Sequence, residues 1–173
     1  GIPQHSILAL TFTNKAAREM AERVKSVTRK KLRDLTVSTF HSFGVKVLRK
    51  EIEVLGFREN FSIYDEADRN QLIKDCAREM GFRMESFDPY AVGSLFSDIR
   101  SGIRPWSKAD DAYRGLYEEY RRSLRIYNAV DFDDLIAMPI EIFELDPAVR
   151  DRYRERFRYL MVDEFQDTSS TQY

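Results

Sequence analysis

Phe157-Arg-Tyr-Leu-Met-Val-Asp-Glu-Phe-Gln-Asp-Thr168 is the stretch on which the fold turns. Tyr159 to Val162 are apolar without a break and run straight into two carboxylates, Asp163 and Glu164. A short apolar run with polar residues beyond it reads as a strand buried on both faces. Side chains alternate along a strand, so the two acids leave its carboxyl end pointing different ways. Ligands of open parallel sheets sit at that end. One carboxylate suits a hydrated Mg²⁺, a hard cation held by one or two carboxylates plus phosphates. The other, aimed elsewhere, can orient or deprotonate a water. An acid pair after a strand also serves simply to cap the next helix, so the pair alone does not decide.

Working outward, the pattern supplies partners for this strand. Ile7-Leu8-Ala9-Leu10 is a second apolar run, followed by a helix whose inward set is Ala17, Met20, Ala21 and Val24. The β-branched run Leu35 to Thr39 predicts a third strand. The helix after it carries Phe43, Val47, Leu48 and Ile52 inward and stops at Gly56. Strand–helix–strand–helix order implies parallel pairing in one sheet. From Phe61 to Asn128 the pattern is helical only. Asp65 caps one helix, Asp88-Pro89 opens another, and a third carries Tyr113, Leu116, Tyr117, Tyr120, Leu124 and Tyr127. Tyrosines at that spacing read as core before they read as a base-stacking platform. Asp131-Phe132-Asp133-Asp134 starts the next helix, where Pro139 should kink or divide the pattern. Asp146-Pro147 opens the last helix before Tyr159.

The two early strand-to-helix junctions are rich in hydroxyls. Thr11-Phe12-Thr13-Asn14 supports two readings: a phosphate grip with a base-stacking Phe12, or a helix cap with a core phenylalanine. Ser38-Thr39-Phe40-His41 repeats the arrangement, and a lone histidine there reads first as an ordinary surface or core residue. Three acids in four residues at Asp131–Asp134 read as helix N-terminal charge rather than a metal site. The basic runs Arg29-Lys30-Lys31 and Arg121-Arg122 with Arg125 read as solvated faces. No Gly-x-x-x-x-Gly-Lys-Ser/Thr phosphate loop occurs.

A chain of 173 residues with 43% apolar content can bury a core. Its 28 basic and 29 acidic residues balance, so any nucleic-acid contact must use local patches. The single cysteine, Cys76, forms no internal disulfide or zinc site and reads as a buried apolar residue. No run reaches membrane-spanning length and no signal peptide is visible. The expectation is an intracellular protein. Both termini read as cuts in a longer chain.

Four blocks in order carry a resemblance. Ile-Leu-Ala-Leu-Thr-Phe-Thr-Asn-Lys-Ala-Ala-Arg-Glu-Met, Ser-Thr-Phe-His-Ser-Phe, Asn-Ala-Val-Asp-Phe-Asp-Asp-Leu and Val-Asp-Glu-Phe-Gln-Asp-Thr together resemble the UvrD/Rep/PcrA branch of superfamily-one DNA helicases. The resemblance implies an α/β fold, a partial RecA-like P-loop NTPase sheet with an inserted all-helical subdomain. Residues 1–60 and 129–173 would belong to the motor domain and 61–128 to the insertion. It implies ATP and Mg²⁺ as cofactors, and single-stranded DNA and single/double-strand junctions as partners. The implied activity is ATP-driven translocation with 3′-to-5′ polarity. Asp163 would coordinate Mg²⁺, Glu164 would activate the hydrolytic water, and Gln166 would sense the γ-phosphate region. Thr11, Phe12, Thr13, Asn14, Thr39 and His41 would face DNA, with Phe132 helping to form a base pocket. The family's phosphate loop and second motor domain have no counterpart in residues 1–173, so this stretch alone is expected to be inactive. A helicase–nuclease subunit of the AddA or RecB type, or a non-catalytic binding module, are the alternatives.

Overall fold

The computed structural model describes residues 2–28, 34–168 and 172; the basic run at 29–31 lies outside them. Strands β1 (Ile7–Thr11), β2 (Thr36–Thr39) and β5 (Tyr159–Val162) form one parallel sheet in the order β2-β1-β5. Helix α1 (Asn14–Thr28) links β1 to β2, and α2 (Phe40–Glu51) follows β2 directly. Thr13 Oγ1 accepts the Ala16 N–H at 3.0 Å, and Thr39 Oγ1 accepts the Ser42 N–H at 3.1 Å. Each threonine thereby satisfies a helix N-terminal donor that has no partner within its helix. Leu8, Leu10 and Phe40 make the small core between sheet and helices. The predicted inward set of α1, Ala17, Met20, Ala21 and Val24, is only half-buried.

Three helices follow: α3 (Glu66–Glu79), α4 (Pro89–Arg100) and α5 (Asp111–Ile126). Asp65 and Asp88 cap the first two as expected, the former in a reciprocal box with Asp68. Their shared core takes in Ile73, Phe96, Leu116, Tyr120 and Leu124, with Cys76 buried among them. Of the tyrosine stripe, Tyr113, Tyr117 and Tyr120 pack inward while Tyr127 is exposed. The stretch is not wholly helical. Residues Ser62–Ile63 (β3) pair in parallel with Ala129–Val130 (β4), side by side where the helices leave and return. Asn128 takes a left-handed backbone there, and its amide ties back to Arg58. Asparagine tolerates that conformation better than most residues.

Helix α6 (Asp134–Leu145) is not divided by Pro139, which lies inside it. Proline cannot donate to the carbonyl four residues back, here Leu135. That same carbonyl faces Gly44 of α2, where an added Cβ would stand 1.8 Å from the oxygen. The two helices meet backbone to backbone. Helix α7 (Pro147–Arg156) returns the chain to β5.

β5 is the clear departure from expectation. Tyr159, Leu160 and Met161 are 46%, 61% and 56% exposed, not buried. The strand is an edge, paired with β1 alone among the described residues, and only Val162 reaches the sheet core. No helix among the described residues is long and apolar enough to cross a membrane.

Candidate functional site

The three strands end on one rim. Thr11 lies opposite Thr39, Leu10 lies opposite Val162, and the Asp163 N–H donates to the Leu10 carbonyl at 3.0 Å. Asp163 therefore emerges beside Thr11 at the carboxyl end of the sheet. Its side chain helps line a cavity of about 390 Å³ between β5 and Ala16, Glu19, Met20 and Arg23 of α1. One carboxylate oxygen accepts the Glu164 N–H at 3.1 Å.

Glu164 has a left-handed backbone, φ 54°. For a glutamate this conformation costs about 1 kcal/mol, a strain found mostly where geometry serves a site. The Gln166 side-chain amide donates to its carboxylate. Both acids are exposed. Two exposed carboxylates with free oxygens fit a hard cation that keeps most of its waters.

On the other side of the rim, Phe12, Asn14, Thr39, His41, Ser42 and Phe132 line a cavity of about 310 Å³. Phe12 leans on Phe40 at 5.3 Å between ring centroids, and His41 meets Phe132 edge-on at 6.3 Å. Phe132 is half-exposed at 49% although apolar. Partial burial lowers the His41 pKa from its ordinary value, and nearby Asp133 opposes the shift. A second groove of about 420 Å³ shares Asn14, Thr39 and Ser42 and continues to Arg18 and Lys46. Two helix N-termini, two cations and an aromatic pocket thus form one continuous surface.

The residues singled out from sequence divide by position. Phe12, Asn14, Thr39, His41 and Phe132 come together in the aromatic pocket, and Asp163, Glu164 and Gln166 gather on the β5 turn. Thr11 is a correction: it is 2% exposed in the central strand, so its side chain cannot face a ligand. Thr13 is exposed, spends its hydroxyl on the α1 cap, and does not line the pocket. Thr39 lines the pocket but is buried, its hydroxyl likewise engaged by the cap.

The acids at 131–134 do charge a helix N-terminus, and they do more. Asp131 and Asp134 cap each other's backbone at 3.2 and 2.9 Å and are buried. Tyr120 donates to Asp131 at 2.8 Å, Arg121 to Asp134 at 2.8 Å, and Arg100 to Asp134 at 3.1 Å. Arg121 departs from the expected solvated face, whereas Arg122 and Arg125 are exposed as expected. Arg121 is ion-paired inside, and Arg125 holds the Leu55 carbonyl at 2.9 Å and covers the Phe57 ring. Arg121 follows Tyr120 on the flank of the apolar stripe, the one sequence signal for its inward turn. Arg18 and Ser42 lie inside two of the resembling blocks without a role marked for them, and Arg100 and Lys46 carry no signal of their own.

Against known proteins, the UvrD/REP helicase N-terminal domain model matches residues 1–173. The chain is 39% identical to the ATP-dependent DNA helicase UvrD1 of Mycobacterium tuberculosis, covering 100% of this chain and 24% of that protein. It is 39% identical to the ATP-dependent DNA helicase PcrA of Bacillus subtilis, covering 97% and 24%. For PcrA of Staphylococcus aureus the identity is 36%, covering 99% and 25%. The chain spans about a quarter of the length of these relatives. With its parallel sheet of RecA-like type, it belongs to the UvrD/REP helicase N-terminal domain family.

Proposed function

We propose that this chain is the metal-holding and strand-gripping part of an ATP-dependent DNA helicase that moves 3′-to-5′ on single-stranded DNA. In this reading residues 1–60 and 129–173 belong to the motor domain and residues 61–128 to its helical insertion. One observation carries it: the acid pair and the aromatic pocket open on the same carboxyl-end rim, joined through the β1–β5 ladder. Phosphate chemistry at one flank and a DNA base at the other would then act on a shared set of strands.

Asp163 and its free oxygen would hold Mg²⁺, which when bound would neutralise charge on the ATP phosphates. Glu164 takes a proton from the attacking water, and Gln166 fixes the direction of its carboxylate. Phe12, His41 and Phe132 sandwich a base, a contact worth roughly 1–3 kcal/mol. Arg18 and Lys46, beyond Asn14 and Ser42, neutralise backbone phosphates along the groove. The partners are ATP, single strands and their junctions with duplex, and the site of action is the cytoplasmic nucleoid. Residues 1–173 alone would bind strands weakly without turning over ATP.

Glu164→Gln in the full-length protein tests this. DNA-stimulated ATP turnover should fall roughly 100-fold or more while single-strand affinity holds within about twofold. Turnover that survives the substitution overturns Glu164 as the base.

A further inference from the structure

Phe132 sits in a turn whose other side chains all reach the three-helix insertion. Asp131 accepts from Tyr120 of α5 at 2.8 Å. Asp133 accepts from Ser97 of α4 at 2.9 Å. Asp134, fully buried, is held by Arg121 of α5 at 2.8 Å and by Arg100 of α4 at 3.0 Å, and Arg100 also pairs with Glu141 farther along α6. Phe132 alone of the four points outward, into the pocket with His41. We propose that the insertion is a brace that positions Phe132, with Ser97, Arg100 and Arg121 as positioning residues for the base pocket.

The physical case rests on cost and direction. Burying Asp134 stabilises nothing unless its charge is matched, so the chain keeps two guanidinium groups on it. Arginine forks fix direction as well as charge, which a lysine ammonium does not. The anchors come from two different helices and meet one turn, so the turn cannot rotate without breaking bonds to both. A rearrangement of α4 against α5 would therefore be felt at Phe132. The inference rests on the reading of that pocket as a base site.

The test uses the full-length protein with Ser97→Ala, which deletes one bond, and Arg100→Lys, which keeps the charge and loses the fork that spans Asp134 and Glu141. Hydrogen exchange should quicken at residues 131–136 but not in α3. Affinity for a labelled oligothymidylate should drop about fivefold, with ATP affinity unchanged. In a Phe132→Ala background the same substitutions should cost less than about twofold. An equal loss in both backgrounds, or unchanged exchange at the turn, overturns the brace. Quicker exchange with unchanged strand affinity upholds the brace and instead overturns the strand-binding reading of the pocket.

Discussion

Asp131 carries its carboxylate where charge is costly. Burial, and then the Asp134 carboxylate, push its pKa from 3.8 up to about 6, against the pull of Arg121 and the Tyr120 hydroxyl. A carboxyl raised in the fold binds its proton more tightly there than in the unfolded chain. Its stabilising contribution is therefore full below about pH 4 and is lost as pH climbs through 6. Asp131→Asn removes that titration. The stability gap between native protein and variant should accordingly move against the native protein by about 2 kcal/mol between pH 4.5 and 7.5. Urea unfolding at the two pH values measures it. A gap that moves the other way means Arg121 dominates the site. At this scale the sequence was readable where chemistry is local. Asp65, Asp88 and Asp146 cap the helices that their spacing announced. Arg100 was opaque, because its partner lies 34 residues away and nothing near it marks the side chain as buried.

Helices α2 and α6 touch at Gly44 and Leu135, and the contact depends on an atom being absent. A methyl at position 44 would fall 1.8 Å from the Leu135 carbonyl oxygen and 2.9 Å from its carbon, both backbone atoms that cannot swing aside. Gly44→Ala should cost about 3 kcal/mol and force the helices apart, which denaturant titration against native protein would register. A loss below about 0.5 kcal/mol would mean that the pair slides freely. His41 lies one turn before Gly44 on α2, and Phe132 lies just before α6. Widening this contact should also widen the aromatic pocket. Elements of this kind were legible as periodicity: Val47, Leu48 and Ile52 face inward as their spacing requires. The unbroken α6 was not. A proline in mid-pattern signals a break, and only the tertiary placement of α2 shows how the helix runs through it. The two-residue β3–β4 ladder was hidden for a related reason, since so short a strand has no period to read.

Across the described residues, apolar clusters occupy three places: beneath the sheet, between α2, α6 and α7, and among α3, α4 and α5. The sheet cluster is the smallest, and β5 at its margin keeps one backbone edge and most of its apolar side chains in water. Apolar content told of a strand but not of its covering, because hydrophobicity reports what a segment can bury, not which neighbour does it. An uncovered apolar edge is a template for another strand. Residues 1–173 expressed alone should therefore self-associate in sedimentation velocity as concentration rises, and high salt should not dissolve the complexes. Leu160→Lys should restore a monomer by placing a charge on the template. A native sample that stays monomeric throughout would show the edge to be harmless. If it is not harmless, the strand that delivers the two acids to the rim is also the stickiest part of the described chain, and how this stretch is handled in the test tube will be governed by a patch of water-facing apolar surface beside its proposed chemistry.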